Sequence, residues 1–303
     1  MTRLRRHLAP SLTGLLGLSV LLPGADSSVQ AYVLSRDGIE WRTVAEKDLA
    51  SAVEVTFLGN CGFFISAGSF HILFDAVHRQ ADYPQYSTPE DAFRKMLNKD
   101  APFERIELML VSHDHPDHIT SEMAFQVLSR HPETVLVAND RALSGIKQKS
   151  PGEYEKALGR IVSLTPEPAS LATASVQGLT FKVFTQTHDP QTRELVSAYL
   201  LDLNGVRILL HADSDLDQNA ADLARLGLDK EGIDLWFFTD LPHDVLDRVM
   251  RTIIKPKSYV IMHNPINDAR KYEATVKVYS HTIGFTGPME KKIFIKHRED
   301  TPR

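Results

Sequence analysis

One segment of the sequence crowds together residues that are suited to metal chemistry. His113, His115, Asp117 and His118 fall within six consecutive positions, directly after the apolar residues 106–111. Imidazole nitrogens and carboxylate oxygens are the ligands that Zn(II) and related divalent metals bind in proteins. A loop that leaves a buried strand can direct His113 and His115 to one metal position. Asp117 and His118 then point to a neighbouring position, so the spacing favours two adjacent ions over one.

The elements that must position this segment alternate between two sequence patterns. Short apolar runs rich in β-branched residues predict strands, and amphipathic runs with helical spacing predict helices between and after them. Two such halves follow each other without a linker, which indicates one domain with two sheets packed face to face and helices outside. The predicted strands are 53–58, 63–66, 71–74, 107–112, 134–137, 179–185, 196–203, 207–211, 235–238, 258–262 and 292–296, and the predicted helices are 89–97, 121–129, 141–147, 216–226, 245–254 and 268–279.

Residues 113–118 match the HxHxDH motif of the metallo-β-lactamase superfamily, and the chain resembles that family beyond the motif. The family's other site elements occur here in the family's order, each at the end of a predicted strand. Asp75 is similar to an early aspartate that supports the metal loop without binding metal. The resemblance implies an α/β protein built as a four-layer αββα sandwich. The residues that resemble the family's remaining ligands are His188, Asp213 and His263.

The resemblance also implies a pair of divalent metal ions. The ligand types favour Zn(II), with Mn(II) or Fe as alternatives. Two ions that share a water lower its pKa toward about 7 and so supply a hydroxide nucleophile at neutral pH. Asp117 would be the catalytic residue, because it would orient this nucleophile and carry its proton to the leaving group. The implied ligands are His113, His115 and His188 for the first ion, Asp117, His118 and His263 for the second, and Asp213 as the bridge.

The bridging position leaves an alternative open. The family often has glycine before this aspartate, whereas the chain has Ala212, and Asp215 offers a rival carboxylate. Asp213 is favoured because it directly follows the predicted strand. His211 is expected on the opposite side of that strand from Ala212, as a packed and hydrogen-bonded side chain. Cys61, in the turn 59–62, is interpreted as structural.

The implied activity is hydrolysis of a small-molecule ester, lactone or phosphodiester. A bridging Asp213 argues against a typical secreted metallo-β-lactamase, and His115 stands where oxygen-reducing diiron proteins of this fold carry glutamate. The net charge of −5 and the lack of a basic run give no reason to expect nucleic-acid binding. The alternatives are a non-catalytic metal-binding module of the same fold and a thiol-dependent dioxygenase that uses one metal.

The first 31 residues predict a secretory signal peptide. Three arginines at positions 3, 5 and 6 precede the apolar run 12–22, which is shorter than the roughly 20 residues of a membrane-spanning helix. Cleavage is predicted after Ala31, which leaves a single metallo-β-lactamase-like domain at 32–303, periplasmic or secreted and without stable membrane insertion. A single cysteine also excludes an intramolecular disulfide. The sequence does not define an oligomeric state.

Overall fold

The computed structural model describes residues 28–36, 38–189, 191–192, 194–239, 244–263, 273, 275–277, 279 and 281–296. The strands of this part of the chain are β1 (Ser28–Ser35), β2 (Gly38–Ala45), β3 (Val53–Phe57), β4 (Phe63–Ala67), β5 (Phe70–Phe74), β6 (Leu108–Leu110), β7 (Val135–Ala138), β8 (Ile161–Ser163), β9 (Ala172–Val176), β10 (Leu179–Thr187), β11 (Leu195–Leu203), β12 (Val206–Leu210), β13 (Leu235–Phe238), β14 (Ser258–Ile261), β15 (Thr282–Ile283) and β16 (Lys291–Lys296).

Helices connect many of these strands. The helices are α1 (Glu90–Asn98), α2 (Ser121–Arg130), α3 (Asp140–Lys149), α4 (Pro151–Ala157), α5 (Leu216–Leu226) and α6 (Asp244–Arg248), which continues into a π-helical turn at Val249–Ile254. Short 3₁₀ turns occur at Glu46–Ser51, Pro84–Tyr86, Leu158–Arg160 and Leu228–Lys230.

The strands form two mixed sheets. The first has the order β2-β1-β16-β3-β4-β5-β6-β7-β8, and the second has the order β15-β14-β13-β12-β11-β10-β9. From β5 to β8 in the first sheet, and from β12 to β15 in the second, neighbouring strands are parallel. Since parallel strands have their carboxyl ends at one edge, the loops after β6, β12 and β14 can build a common site.

Successive residues of a strand point to opposite faces, and this alternation separates the core into layers. In β12, Ile208 and Leu210 join one apolar cluster with residues of both sheets, whereas Leu209 packs under the helices beside the second sheet. In β6, Leu110 joins the inter-sheet cluster while Met109 packs under α1 and α2. Helices therefore cover the outer face of each sheet, and the predicted αββα sandwich is confirmed.

Several predicted elements differ from the structure. Residues 151–160, where no helix was predicted, form α4 and a 3₁₀ turn, and Pro151 is tolerated at the start of α4, where no backbone donor is lost. The strand predicted at 107–112 is shorter, and β1, β2, β8, β9 and β15 were not predicted. Most of the helix predicted at 268–279 lies outside the described residues.

The predicted signal peptide, residues 1–31, overlaps strand β1 of the first sheet. Ser28–Ser35 pairs with β2 and β16, and Ala31 is fully buried against Ala52 and Ile293. Cleavage after Ala31 would remove four of the eight residues of β1. No helix in the described part of the chain is long and apolar enough to cross a lipid bilayer.

Candidate metal centre

The predicted ligands meet at one edge of the two sheets. The segment 113–118 follows β6 of the first sheet. The other three ligands each follow a strand of the second sheet: His188 after β10, Asp213 after β12 and His263 after β14. Strand β5 lies beside β6 in the first sheet, and the loop that follows β5 brings Asp75 to the same edge. Side chains that are far apart in the sequence thus converge where the two sheets face each other.

The first group consists of His113, His115 and His188. One potential ligand atom from each lies within 4.8 Å of the other two. The Nε2 atom of His115 lies 2.8 Å from a carboxylate oxygen of Glu194, so Nδ1 is the nitrogen left for a metal. In His113, Nδ1 lies 2.9 Å from the Ser112 hydroxyl, which leaves Nε2. Hydrogen bonds of this kind fix the orientation of metal-binding imidazoles.

The second group consists of Asp117, His118 and His263. A carboxylate oxygen of Asp117 lies 3.1 Å from His263 Nε2 and 3.8 Å from His118 Nε2. His263 has a φ of 60°, and its backbone nitrogen donates to the Asn60 carbonyl at 2.9 Å. This left-handed conformation is uncommon outside glycine. It is held by the turn at residues 59–62, which lies on the other sheet.

Asp213 lies between the two groups. Its Oδ1 is 3.9 Å from His113 Nε2 and 3.4 Å from His118 Nε2, and its Oδ2 is 3.9 Å from His188 Nε2. One carboxylate therefore approaches ligands of both predicted ions, which is the arrangement that a bridging ligand requires. The preceding residue, Ala212, has a φ of 55°, a conformation that glycine adopts more readily.

The donor set fits divalent metal ions. Two ligands about 2.1 Å from a tetrahedral ion are about 3.4 Å apart, close to several of the distances above. Buried polar atoms normally have hydrogen-bond partners, and leaving one without a partner is costly. Among the described residues, four atoms of this cluster are buried and make no hydrogen bond: His113 Nε2, His118 Nε2, His188 Nδ1 and Asp213 Oδ1.

Asp75 is hydrogen-bonded to Ser112 at the start of the metal loop, which is the supporting role that the family resemblance implies. Its carboxylate accepts hydrogen bonds from the backbone nitrogen of Ser112 at 2.8 Å and from the Ser112 hydroxyl at 2.6 Å. The same carboxylate lies 2.8 Å from His118 Nδ1, so Nε2 of this ring is left to face the cluster. Asp75 is buried, and burial raises the pKa of its carboxyl, although His118 and Ser112 oppose this change.

Charges within the cluster stabilise one protonation state of the metal-free protein. Burial disfavours charge on His118, yet nearby negative charge, above all that of Asp213, outweighs burial and holds the pKa of His118 well above its usual range. Burial likewise opposes ionisation of Asp213, but His118 and His113 hold its pKa well below the usual range. Without metal, a protonated His118 is therefore paired with an ionised Asp213.

We expect metal binding to release at least one proton near neutral pH. The metal must displace the proton of His118, whose raised pKa keeps it protonated in the metal-free state. Affinity for the metal should therefore fall about tenfold per displaced proton for each unit by which the pH is lowered. Calorimetric titration in two buffers of different ionisation enthalpy counts the protons. Identical heats in both buffers at pH 7 would contradict this charge state.

The residue between the first two histidines, Asp114, is fixed from outside the loop. Lys149 Nζ donates to the Asp114 backbone carbonyl at 2.6 Å and to its carboxylate at 3.0 Å. The carboxylate packs against Gly145 of α3, where an added Cβ would lie 1.8 Å from the Asp114 Oδ2. Gly145 therefore gives this carboxylate its space beside the helix.

We expect Gly145→Ala to weaken metal binding about 10- to 100-fold, the usual effect of disturbing a residue that supports metal ligands. The added methyl group would displace the Asp114 carboxylate from Lys149 and shift the loop that carries His113 and His115. Gly152→Ala in α4 is the matched control, since a Cβ there meets nothing within 4 Å. Competition with a chromophoric chelator measures both affinities. Equal affinities in the two variants would show that Asp114 does not position the loop.

Two neighbours of Asp213 have other roles. Asp215 is the N-cap of α5, and its side chain accepts hydrogen bonds from the backbone nitrogens of Asp217 and Gln218. His211 is buried, as predicted, with Nε2 bonded to the Gln186 side-chain oxygen and Nδ1 accepting from the Trp236 indole at 3.0 Å. Burial lowers the pKa of His211 to about 3, so this ring is neutral.

Two residues at the site, Asn60 and Glu194, were missed in the sequence. A third, Cys61, was interpreted as structural, and its sulfur lies within 4.8 Å of ligand atoms of His118 and His263. Asn60 Nδ2 donates to the Asp117 backbone carbonyl at 2.7 Å. Glu194 orients His115. No local pattern marks Asn60 or Glu194, because Asn60 reaches Asp117 through strand pairing within the first sheet and Glu194 reaches His115 through the packing of one sheet on the other.

The αββα layers, with a histidine and aspartate cluster at one edge, define a protein of the metallo-β-lactamase fold. A family model described as the beta-lactamase superfamily domain matches residues 54–227, more than half of the chain. The chain belongs to this superfamily. No curated protein matches the sequence.

Solved structures share the fold at low sequence identity. Igni18, a metallo hydrolase from the archaeon Ignicoccus hospitalis, is 15% identical with a TM-score of 0.55, over 80% of this chain and 98% of that chain. CmlA, a diiron β-hydroxylase from Streptomyces venezuelae, is 13% identical with a TM-score of 0.53, over 80% of this chain and 54% of that chain. These identities support a common fold and leave the reaction to be argued from the site.

Proposed function

We propose that the chain is an exported hydrolase that uses two divalent metal ions, Zn(II) in the first instance, to cleave a small-molecule ester, lactone or phosphodiester. The observation that carries the proposal is the position of Asp213. Its two carboxylate oxygens approach histidines of both groups at 3.4–3.9 Å. A thiol-dependent dioxygenase that uses one metal would need only the first group. It would not explain why Asp117, His118 and His263 also converge.

Bound ions would lower the pKa of a shared water and polarise the oxygen of the bond that is cleaved. Asp117 is the group that we propose to hold and transfer the proton. Burial opposes its ionisation, but His263 and His118 hold the pKa of Asp117 below its usual range, so this carboxylate is ionised at neutral pH. Asn60 donates to both the carbonyl and, at 3.3 Å, the carboxylate of Asp117, which keeps this carboxylate oriented.

The test is turnover of generic reporters by the full chain loaded with Zn(II). We expect hydrolysis of at least one of an ester, a lactone and a phosphodiester, lost on chelation and restored by added metal. Two bound ions without turnover of any reporter would support the non-catalytic metal-binding module. Oxygen consumption with a thiol substrate by the iron-loaded chain would instead support the dioxygenase alternative.

We also propose that the chain is exported, on the strength of its basic and then apolar amino terminus. Intact mass of the protein from the native extracytoplasmic fraction checks this prediction and the position of cleavage. The sequence predicts a start at Tyr32, whereas a start at or before Ser28 would keep all of β1. The burial of Ala31 in that strand favours the earlier start. Recovery of the chain with Met1 retained would contradict export.

A further inference from the structure

The only cysteine of the chain, Cys61, is fully buried at the second group of predicted ligands. One ligand atom each from Cys61, His118 and His263 lies within 4.8 Å of the other two. A cysteine that serves packing alone has apolar neighbours around its sulfur. Cys61 borders the apolar core between the sheets on one side, but imidazole nitrogens approach its sulfur on the other.

The backbone of the turn holds Cys61 between the two sheets. The carbonyl of the preceding residue, Asn60, accepts from His263 N at 2.9 Å, and the Asn60 side chain donates to the Asp117 carbonyl at 2.7 Å. On the other side, a Cβ added to Gly62 would meet backbone atoms at 2.9–3.0 Å. Asn60 therefore ties the turn to the segments that carry Asp117 and His263, and Gly62 packs it against residues 75–76, so the turn cannot shift without disturbing both contacts.

A second observation points independently to a ligand at this position. His118 is fully buried, and its Nε2 atom makes no hydrogen bond, while Nδ1 is engaged by Asp75. A buried polar atom without a hydrogen bond requires an explanation. An ion held between His118, His263 and Cys61 would supply the missing partner of Nε2.

We propose that Cys61 is a thiolate ligand of the second metal position. This inference rests on the metal centre proposed above, and it adds a ligand that the HxHxDH pattern does not contain. On binding, the S–H bond is replaced by a sulfur–metal bond, the proton leaves to solvent, and no electron is transferred. Typical lengths are about 2.3 Å for zinc–sulfur and about 2.1 Å for zinc–nitrogen bonds, so ligand atoms around one tetrahedral ion are about 3.4 to 3.6 Å apart, within the 4.8 Å that bounds their separations here.

The proposal has a consequence for metal identity. Thiolates are soft ligands that favour zinc and disfavour Mn(II), whereas carboxylates accept both. Cys61 therefore favours Zn(II) over Mn(II) at the second position, whereas the three imidazoles of the first position suit Zn(II) and Fe alike. Of the metals considered from the sequence, Zn(II) fits this position best.

The test uses the full chain, stripped of metal and titrated with Co(II). Cobalt bound by histidine and carboxylate gives visible absorption, and a thiolate ligand adds a sulfur-to-cobalt charge-transfer band in the near ultraviolet. Because the chain has one cysteine, any such band arises from Cys61. We expect the band to grow with one of two equivalents of Co(II), to persist in His188→Ala, and to be lost in Cys61→Ser while the visible absorption remains.

Each outcome separates this proposal from the proposed function. Two equivalents of Co(II) with visible bands and no near-ultraviolet band would overturn the Cys61 ligand and leave the two-metal centre standing. One equivalent with the near-ultraviolet band would support Cys61 and overturn the two-metal centre. One equivalent without that band would overturn both.

Wild-type protein alone provides a second measurement if Cys61→Ser does not fold. X-ray absorption at the zinc edge of the Zn(II)-loaded chain should require a sulfur scatterer at about 2.3 Å. A spectrum accounted for by nitrogen and oxygen alone would overturn the proposal. If Cys61→Ser folds, its affinity for the second ion should fall by more than the roughly 10- to 100-fold that follows loss of a residue supporting a ligand.

Discussion

Asp213→Ala should reduce hydrolysis to background, while Asp215→Ala should retain it within about tenfold, a barrier change of about 1.4 kcal/mol or less. The two carboxylates are two residues apart, but only Asp213 approaches both groups of histidines. Without this carboxylate, nothing fixes the separation of the ions or the position of the nucleophile between them. Steady-state turnover of the reporter that the wild type cleaves measures both variants.

Asp215→Ala controls for the local structure around Asp213. Asp215 caps α5, so its loss should cost about 1 kcal/mol of stability without touching the ligands. Circular dichroism must show both variants folded, because a disrupted metal site can itself unfold a chain. A folded but inactive Asp215→Ala beside an active Asp213→Ala would show that the bridging role belongs to Asp215.

The second large effect concerns metal content. His263→Ala should remove one of two bound equivalents and keep the other, because His263 belongs to the group of Asp117 and His118. His188→Ala should weaken the other position, which it shares with His113 and His115. Each variant leaves its position with fewer ligands than the ion's preferred coordination requires. Elemental analysis after gel filtration measures the stoichiometry.

His131→Ala offers a matched comparison, since this buried histidine lies away from the cluster and bonds the Met96 carbonyl at 2.8 Å. It should destabilise the chain and leave the metal content at two. One equivalent in the wild type, unchanged by His263→Ala, would contradict the two-metal centre.

The sequence predicted the parts of the site that follow from local pattern. A run of metal-binding side chains directly after a buried strand indicates a metal site at the edge of a sheet. His188, Asp213 and His263 each follow an apolar strand as well. Between Asp213 and Asp215, the sequence left a choice that the structure narrows, because Asp215 already caps a helix. Strands with strong apolar patterns were found for the same reason, whereas the short and partly exposed β8 and β9 gave no such signal.

What the sequence could not show depends on how distant strands pair within a sheet and on how the two sheets pack. Cys61 lies about fifty residues before the metal loop in the chain, and its turn reaches the same edge because β3 pairs with β4, β4 with β5 and β5 with β6. Glu194 and Asn60 act through side chains that meet partners on distant segments. The strand β1 was hidden because its residues continue a segment that has the pattern of a signal peptide.

The convergence of ligands from both sheets gives the centre a mechanical role. In each group, residues after β6 of the first sheet stand opposite a histidine from the second sheet, so each ion would act as a cross-link between the sheets at this edge. Protein contacts already join the sheets nearby, where Ser197 N donates to the Ser112 carbonyl at 2.8 Å. A ligand that binds only the folded state stabilises it by about 4 kcal/mol when its free concentration exceeds its Kd about 1,000-fold. Loss of metal would therefore weaken the association of the two sheets at this edge, in addition to abolishing the proposed hydrolysis.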